Sequence, residues 1–209
     1  GHADEVYDFL VQLRQILRYL GVCDGNMEEG SLRCEPNISI RPRGATELGV
    51  KIELKNLSSF KAAKKGIEYE FGRQVQALNR GEKLRQETRG WDEDKEQSYL
   101  MRVKEDSQDY RYFPDPDLPP LSVATGEVDK VRLSLPELPR AKKERFHSEF
   151  GLSEIDAEVL CSEIGIAGYY EQLARGSGDP KAAANWVMGE VLRVLKNGGT
   201  IEAFPVRED

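Results

Sequence analysis

The chain has 209 residues, 39% hydrophobic and 32% charged, a composition that excludes a disordered tail and leaves no run of the ~20 apolar residues a membrane span needs. Thirty lysines and arginines against thirty-seven aspartates and glutamates give a formal charge of −7, so a general nucleic-acid coat is excluded and any phosphate contact must be a local basic patch. Cys23, Cys34 and Cys161 include no C-x-x-C pair and stand beside only two histidines, which argues against a zinc cluster or a disulfide framework and for a reducing, cytoplasmic compartment. The opening Gly-His-Ala lacks both an initiator Met and a signal sequence, and reads as a cloning remnant ahead of an excised piece.

From Asp4 to Leu20 the apolar residues Val6, Phe9, Leu10, Leu13, Ile16, Leu17 and Leu20 recur at helical spacing, predicting an amphipathic helix capped by Asp4 and stopped by Gly21. After a turn-rich CDGNMEEG, the stretch 31–41 alternates, with Leu32, Cys34, Ile38 and Ile40 on one face. VKIELKNL does the same with Val50, Ile52 and Leu54, so two neighbouring strands each present a charged face. Ser58 or Ser59 then caps a helix whose expected buried stripe is Phe60, Ala63, Ile67, Phe71, Val75 and Leu78. Leu84 to Trp91 and Gln97 to Lys104 flank the turn DEDK and predict a second hairpin.

The proline-rich DYRYFPDPDLPPL, 109–121, reads as an ordered loop or a boundary, with a short strand expected near Val123. Beyond it the pattern is helical over 139–150, 153–163, 167–174 and 179–197, the last with Asp179 as cap, Pro180 at the first position and Gly198 as stop. Trp186, Val187, Val191, Leu192 and Leu195 of that helix read as core. The order of elements predicts an α+β fold, an antiparallel sheet flanked by helices and followed by an all-helical segment, with the boundary between residues 133 and 134.

Candidate chemistry concentrates between Asp24 and Asn56. Glu28, Glu29, Arg33, Glu35, Glu53, Lys55 and Asn56 lie on or beside the polar faces of the two predicted strands. Converging carboxylates suit a hard cation such as Mg²⁺, which takes oxygen ligands and keeps open positions for water and phosphate. The same alternation also describes an ordinary solvated sheet face with ion pairs. Between Arg41 and Arg73 eight basic residues face four acidic ones, an excess fit for phosphate or RNA backbone, or equally a mixed helix surface in the case of Lys61, Lys64 and Lys65. A Walker-type loop and a dinucleotide fingerprint are both missing.

The segments LRQILRYLGVCDGNMEEGSLRCEPNISIRP, KIELKNLSSF, QETRGWDEDK, MRVKE and DYRYFPDPDLPPL, in that order and spacing, closely resemble the GatB family of bacterial and organellar tRNA-dependent amidotransferases. LPELPRAKKERF and AANWVMGEVLRVLK resemble the start of that family's helical domain. The resemblance implies a glutamine-synthetase-like cradle over 1–133 and the beginning of the helical domain over 134–209. It implies ATP-dependent phosphorylation of the side-chain carboxylate of Glu-tRNA(Gln) or Asp-tRNA(Asn), then amidation with ammonia from the glutaminase GatA, in a heterotrimer with GatC. Glu28 or Glu29 and Glu53 match the family's acidic metal-site motifs, with further Mg²⁺ ligands expected from a front segment carrying a Glu-x-His motif. Arg33, Lys55 and Lys104 are candidates for phosphate or carboxylate contacts, and Lys55 and Asn56 for the nucleotide. Glu35-Pro36 stands where the family often has Asp-Ala, and Ser58 where Asn is common. A different class of function, a docking module for the glutaminase and the tRNA acceptor end, would leave catalysis elsewhere.

Overall fold

The computed structural model describes residues 1–103, 114–201 and 203–206. They fall into two compact units, one comprising residues 1–12 and 25–122, the other residues 13–24 and 123 onward. The helix α1 (Ala3–Tyr19) starts one residue before the expected cap, so Asp4 lies in its first turn, where its carboxylate favours the positive helix end and pairs with Lys64.

In the first unit, β1 (Asn37–Ile38), β2 (Ile52–Lys55), β3 (Glu87–Asp92) and β4 (Gln97–Val103) form one sheet in chain order. The expected all-antiparallel sheet is corrected. β1–β2 and β3–β4 are antiparallel, but β2 and β3 are parallel, pairing Glu53 with Thr88 and Lys55 with Gly90. The cause is α2 (Phe60–Asn79), a crossover that returns the chain to the starting end of the sheet. The long strand expected over 31–41 shrinks to two residues, because residues 27–30 form a turn and Pro36 has no N–H to pair. Leu32, Cys34 and Ile38 still pack against the core.

Ser59 caps α2, its side chain accepting from the Ala62 N–H at 3.0 Å. The helix turns a different stripe inward from the one the periodicity predicts. Phe60, Ala63, Gly66, Glu70, Gln74 and Ala77 are buried, while Phe71 is 57% exposed and Leu78 46% exposed. Gly66 sets this rotation: a Cβ there would stand 2.5 Å from Leu54 Cδ2, so only glycine lets the helix approach the sheet so closely. Leu10, Leu54, Leu57, Phe60, Ala62, Ala63 and Trp91 fill the interface.

The inward stripe carries a carboxylate with no solvent access. Glu70 takes a bidentate pair from Arg73, with contacts of 2.6 and 3.0 Å, accepts from Ser98 Oγ at 3.0 Å and from Gln74 Nε2 at 3.2 Å, and lies 3.6 Å from Arg89 Nε. Arg89 in turn bonds Glu87 at 2.9 Å and Ser98 Oγ at 2.8 Å, and Gln74 Nε2 reaches the Ile38 carbonyl at 3.3 Å. One buried network therefore joins α2 to β1, β3 and β4.

The second unit is helical. The strand expected near Val123 is absent among the described residues; Val123 precedes α3 (Thr125–Ser134), where Val128 and Val131 follow helical spacing. α4 (Pro139–Phe150), α5 (Glu154–Leu160), α6 (Ile164–Ser177) and α7 (Pro180–Trp186) follow. The last predicted helix is interrupted by a π-helical turn, Val187–Val191, before α8 (Leu192–Lys196). The wide turn places Val187 and Val191 on one fully buried side, and Trp186, expected in the core, is 41% exposed. Asp179 and Pro180 start α7 as predicted, with Asp179 accepting from the Ala182 N–H at 3.0 Å.

Phe146, Tyr170, Leu160, Cys161, Val187 and Val191 form this unit's core, with the Phe146 and Tyr170 rings 5.0 Å apart. Residues 13–19 of α1 bury Gln15 and Tyr19, which donate at 2.5 and 2.7 Å to the carbonyl of Cys161, the residue ending α5. Above the core, Arg145 bonds Glu137, Glu149 and Glu171, and Arg175 joins Glu149 to Glu171. These bonds, chiefly the one from Arg145, hold the Glu171 carboxyl down at about 2.

Two stability measurements follow. Glu70→Ala leaves Arg73 and Arg89 facing an emptied buried site and costs ~3–5 kcal/mol in chemical denaturation, whereas Phe71→Ser changes stability by only ~0.5 kcal/mol; the expected apolar stripe would give the reverse order. Glu171 has a depressed folded pKa, so its contribution is complete above about 4.5, its ordinary value, and is lost as pH falls from there toward about 2. Acid titration of Glu171→Gln should show a flatter stability profile across that window than the parent.

Candidate functional site

α2 covers one face of the sheet, and the other face collects the polar residues. β2 turns Ile52 and Leu54 toward α2 and so presents Glu53 and Lys55 on the opposite side. The parallel register sets Thr88 beside Glu53 and Gly90 beside Lys55, and β4 adds Arg102 opposite Thr88 and Tyr99 opposite Gly90. Three residues separate Tyr99 from Arg102, so simple alternation would put them on opposite faces. A β-bulge at Met101 restores both to this one.

The geometry is specific. Thr88 Oγ1 donates to Glu53 Oε2 at 2.9 Å while accepting from Arg102 Nε at 3.4 Å. Lys55 Nζ stands 2.9 Å from Glu35 and 3.7 Å from Glu53. The hydrogen bond with Glu35 raises the Lys55 pKa, so the ammonium stays charged at any physiological pH. Asn56, at the end of β2, holds a left-handed backbone (φ +60°) and donates to Tyr99 Oη at 2.9 Å.

Beside this face lies a cleft of about 430 Å³ lined by Glu28, Glu29, Arg33, Cys34, Glu35 and Asn56, among others. The structure thus brings Glu28, Glu29, Arg33 and Asn56 to one cleft, and Glu53 and Lys55 to the adjoining sheet face, with Glu35 bridging the two through Lys55. Glu28 and Glu29 sit in the turn 27–30. Among the described residues no three His, Cys, Asp or Glu side chains converge as a ready metal cage, so Glu28, Glu29 and Glu53 do not form one by themselves. Lys104 lies outside the described residues, as do the aromatic residues of DYRYF.

Sequence patterning missed Thr88, Tyr99 and Arg102, whose places depend on the parallel register and the bulge. The basic excess over 41–73 forms no single patch: Arg73 is committed to Glu70, Arg41 donates to the Thr46 carbonyl at 2.9 Å, and Lys64 and Lys65 pair with Asp4 and Glu96.

The profile of the GatB/GatE catalytic domain matches residues 1–129. This chain belongs to the GatB/GatE catalytic domain family. It is 48% identical over 204 residues to the GatB component of the aspartyl/glutamyl-tRNA(Asn/Gln) amidotransferase of Bdellovibrio bacteriovorus, covering 97% of this chain and 43% of that one. It is 54% identical over 192 residues to the same-named protein of Prosthecochloris aestuarii (92% and 40%), and 50% identical over 204 residues to that of Thermosynechococcus vestitus (97% and 41%). The chain therefore spans 40–43% of the length of these relatives.

The GatB-like segments converge in space: NMEEGS forms the turn at the cleft, KIELKNL forms β2 and the left-handed Asn56, ETRGWD forms β3, and MRV ends β4. No helix among the described residues is long and apolar enough to cross a membrane.

Cys34 reports on this cleft. Burial, with a smaller push from Glu35, raises its thiol above the ordinary value. Its alkylation rate should therefore rise at higher pH than that of a free thiol. Glu35→Gln should move that midpoint down part of the way, since burial remains; mass spectrometry of the modified peptide reads both.

Proposed function

We propose that this chain carries the carboxylate-activating centre of a tRNA-dependent amidotransferase. ATP phosphorylates the side-chain carboxylate of Glu-tRNA(Gln) or Asp-tRNA(Asn), and ammonia from a glutaminase partner displaces the phosphate. The observation that supports this best is the Glu53 carboxylate, fixed between Thr88 and Lys55 with Arg102 on the same face and an acidic cleft alongside. In this reading residues 1–133 belong to a glutamine-synthetase-like cradle and 134–209 open the helical domain, in a cytoplasmic heterotrimer with GatA and GatC.

The chemistry explains the residue types. A carboxylate is a poor acyl acceptor until one of its oxygens bonds the γ-phosphorus of ATP and ADP leaves. Ammonia then attacks the carbonyl carbon of the acyl phosphate, the C–O bond to phosphate breaks, inorganic phosphate departs, and one proton is lost to give the amide. Protein groups must place these partners in line and balance phosphate charge.

Lys55, kept cationic by Glu35, and Arg102 supply positive charge on the sheet face. Arg33 supplies it at the cleft, and Asn56 offers a carboxamide to the nucleotide. Lys104 completes the basic set in this reading.

The donor set fits Mg²⁺, which is commonly held by one or two carboxylates together with phosphate oxygens and water rather than by an all-protein cage. Glu53 and one of Glu28 and Glu29 would hold it, and it would supply neutralisation of the phosphate oxygens during transfer.

The test uses the full-length protein assembled with its partners. ADP release from ATP should be stimulated by misacylated tRNA in the parent and fall by about 100-fold or more in Glu53→Gln, with complex assembly and tRNA binding unchanged. ADP release that ignores the tRNA, or survives the substitution, would assign this face to docking and place the kinase centre elsewhere.

A further inference from the structure

We infer that Tyr99 is a positioning residue for nucleotide binding: lying flat across Gly90, it holds Asn56 at the mouth of the cleft and so joins the cleft to the polar sheet face. The inference rests on the reading of that face as the ATP site and adds a residue to it.

Four observations carry it. First, Gly90 leaves a bare stretch of β3 backbone that the Tyr99 ring occupies; a Cβ at Gly90 would stand 2.5 Å from Tyr99 Oη and 2.8 Å from Cε1. Second, the ring reaches across two strands, for Gly90 pairs with Lys55 on one side and with Tyr99 on the other. The hydroxyl thereby arrives at the end of β2, where it accepts from Asn56 Nδ2 at 2.9 Å. Third, Asn56 has φ +60°, a conformation that L-residues hold only when their surroundings fix it, and one in which Asn is among the best tolerated. Fourth, Asn56 lines the cleft together with Glu28, Glu29 and Arg33 and directly follows Lys55.

Without the Tyr99 hydroxyl the Asn56 amide has no partner fixing its plane among the described residues, and its rotation must be arrested by the ligand instead. That cost falls on binding, before any chemistry. Deleting the hydroxyl therefore weakens ATP binding and leaves the chemical step nearly intact. Gly90→Ala acts on the same contact from the other side: the phenol end is free to swing, so the added methyl displaces the ring from Asn56 without breaking β3.

The experiment measures tRNA-stimulated ADP release by the assembled full-length enzyme for Tyr99→Phe, Gly90→Ala, Asn56→Ala and Tyr99→Phe combined with Asn56→Ala, with Glu53→Gln as reference and thermal midpoints for all. The expected result is a rise in KM for ATP of about five- to tenfold in each single variant, kcat within about twofold of the parent, thermal midpoints unchanged for Tyr99→Phe, and a double variant no worse than Asn56→Ala alone. An unchanged KM in Tyr99→Phe, or effects of Tyr99 and Asn56 that multiply in the double variant, would overturn the positioning role. Loss of activity in Glu53→Gln alongside either of those results would refute this inference alone, whereas full activity in Glu53→Gln would refute the ATP-site reading beneath it.

Discussion

The first unit is organised around a carboxylate that has no access to water. Burying Glu70 unpaired would be prohibitive, so its position is tenable only with Arg73 and Arg89 in place, Ser98 and Gln74 completing its hydrogen bonds. Those partners come from α2, β3 and β4, and Gln74 extends the network to β1 through the Ile38 carbonyl. A buried ion network is a poor source of net stability against a well-packed apolar alternative, but it is highly selective in geometry. Here it admits one rotation of α2 about its axis and one register of the strands beneath. Gly66 and Leu54 impose the same rotation by close approach, so packing and electrostatics agree.

That agreement decides what the far side of the sheet can be. With α2 fixed on one face, the parallel crossover sets Thr88 beside Glu53, and strand parity sends Glu53 and Lys55 outward. The β-bulge at Met101 then determines whether Arg102 joins them or turns to the helix side. The sheet face is therefore a consequence of the covered side rather than an independent feature, and disturbance of Glu70 would reach Glu53 through β3 without touching it.

Much of this is legible in the sequence wherever a single local rule suffices. Ser59 and Asp179 are caps whose side chains accept from the third residue on, and Pro180 and Gly198 bound their helical stretch as their backbone preferences require. The motifs around Glu28, Arg33, Glu53, Lys55 and Asn56 stand out because like residue types cluster along the chain, and the first four share one cleft or its adjoining face with Asn56. What escapes is set by tertiary competition. The stripe 60–63–67–71–75–78 is apolar, yet the helix buries Glu70 and Gln74 in preference to Phe71, because hydrophobic spacing carries no information about the arginine that β3 supplies to Glu70. The parallel pairing of β2 and β3 escapes for a similar reason: spacing within each strand says nothing about the direction in which α2 returns the chain. Gln15 and Tyr19 are buried for the Cys161 carbonyl, a partner more than 140 residues away.

The distribution of charge shows why a chain of net charge −7 can still offer a phosphate a welcoming surface. What matters is which cations are fully committed. On the covered face Arg73 and Arg89 are clamped by Glu70 and Glu87 at hydrogen-bond distance, and in the helical unit Arg145 and Arg175 are shared among Glu137, Glu149 and Glu171. Lys55 is held differently: Glu35 takes it at 2.9 Å, and Glu53 stands at 3.7 Å. The tighter partner belongs to the cleft, and the looser one accepts from the neutral Thr88 hydroxyl, so carboxylate and ammonium stand on one face with both charges intact. A direct Lys55–Glu53 clamp would have cancelled both groups; drawing Lys55 toward Glu35 preserves an acid and a base side by side, which a site handling phosphate and its counter-ion requires.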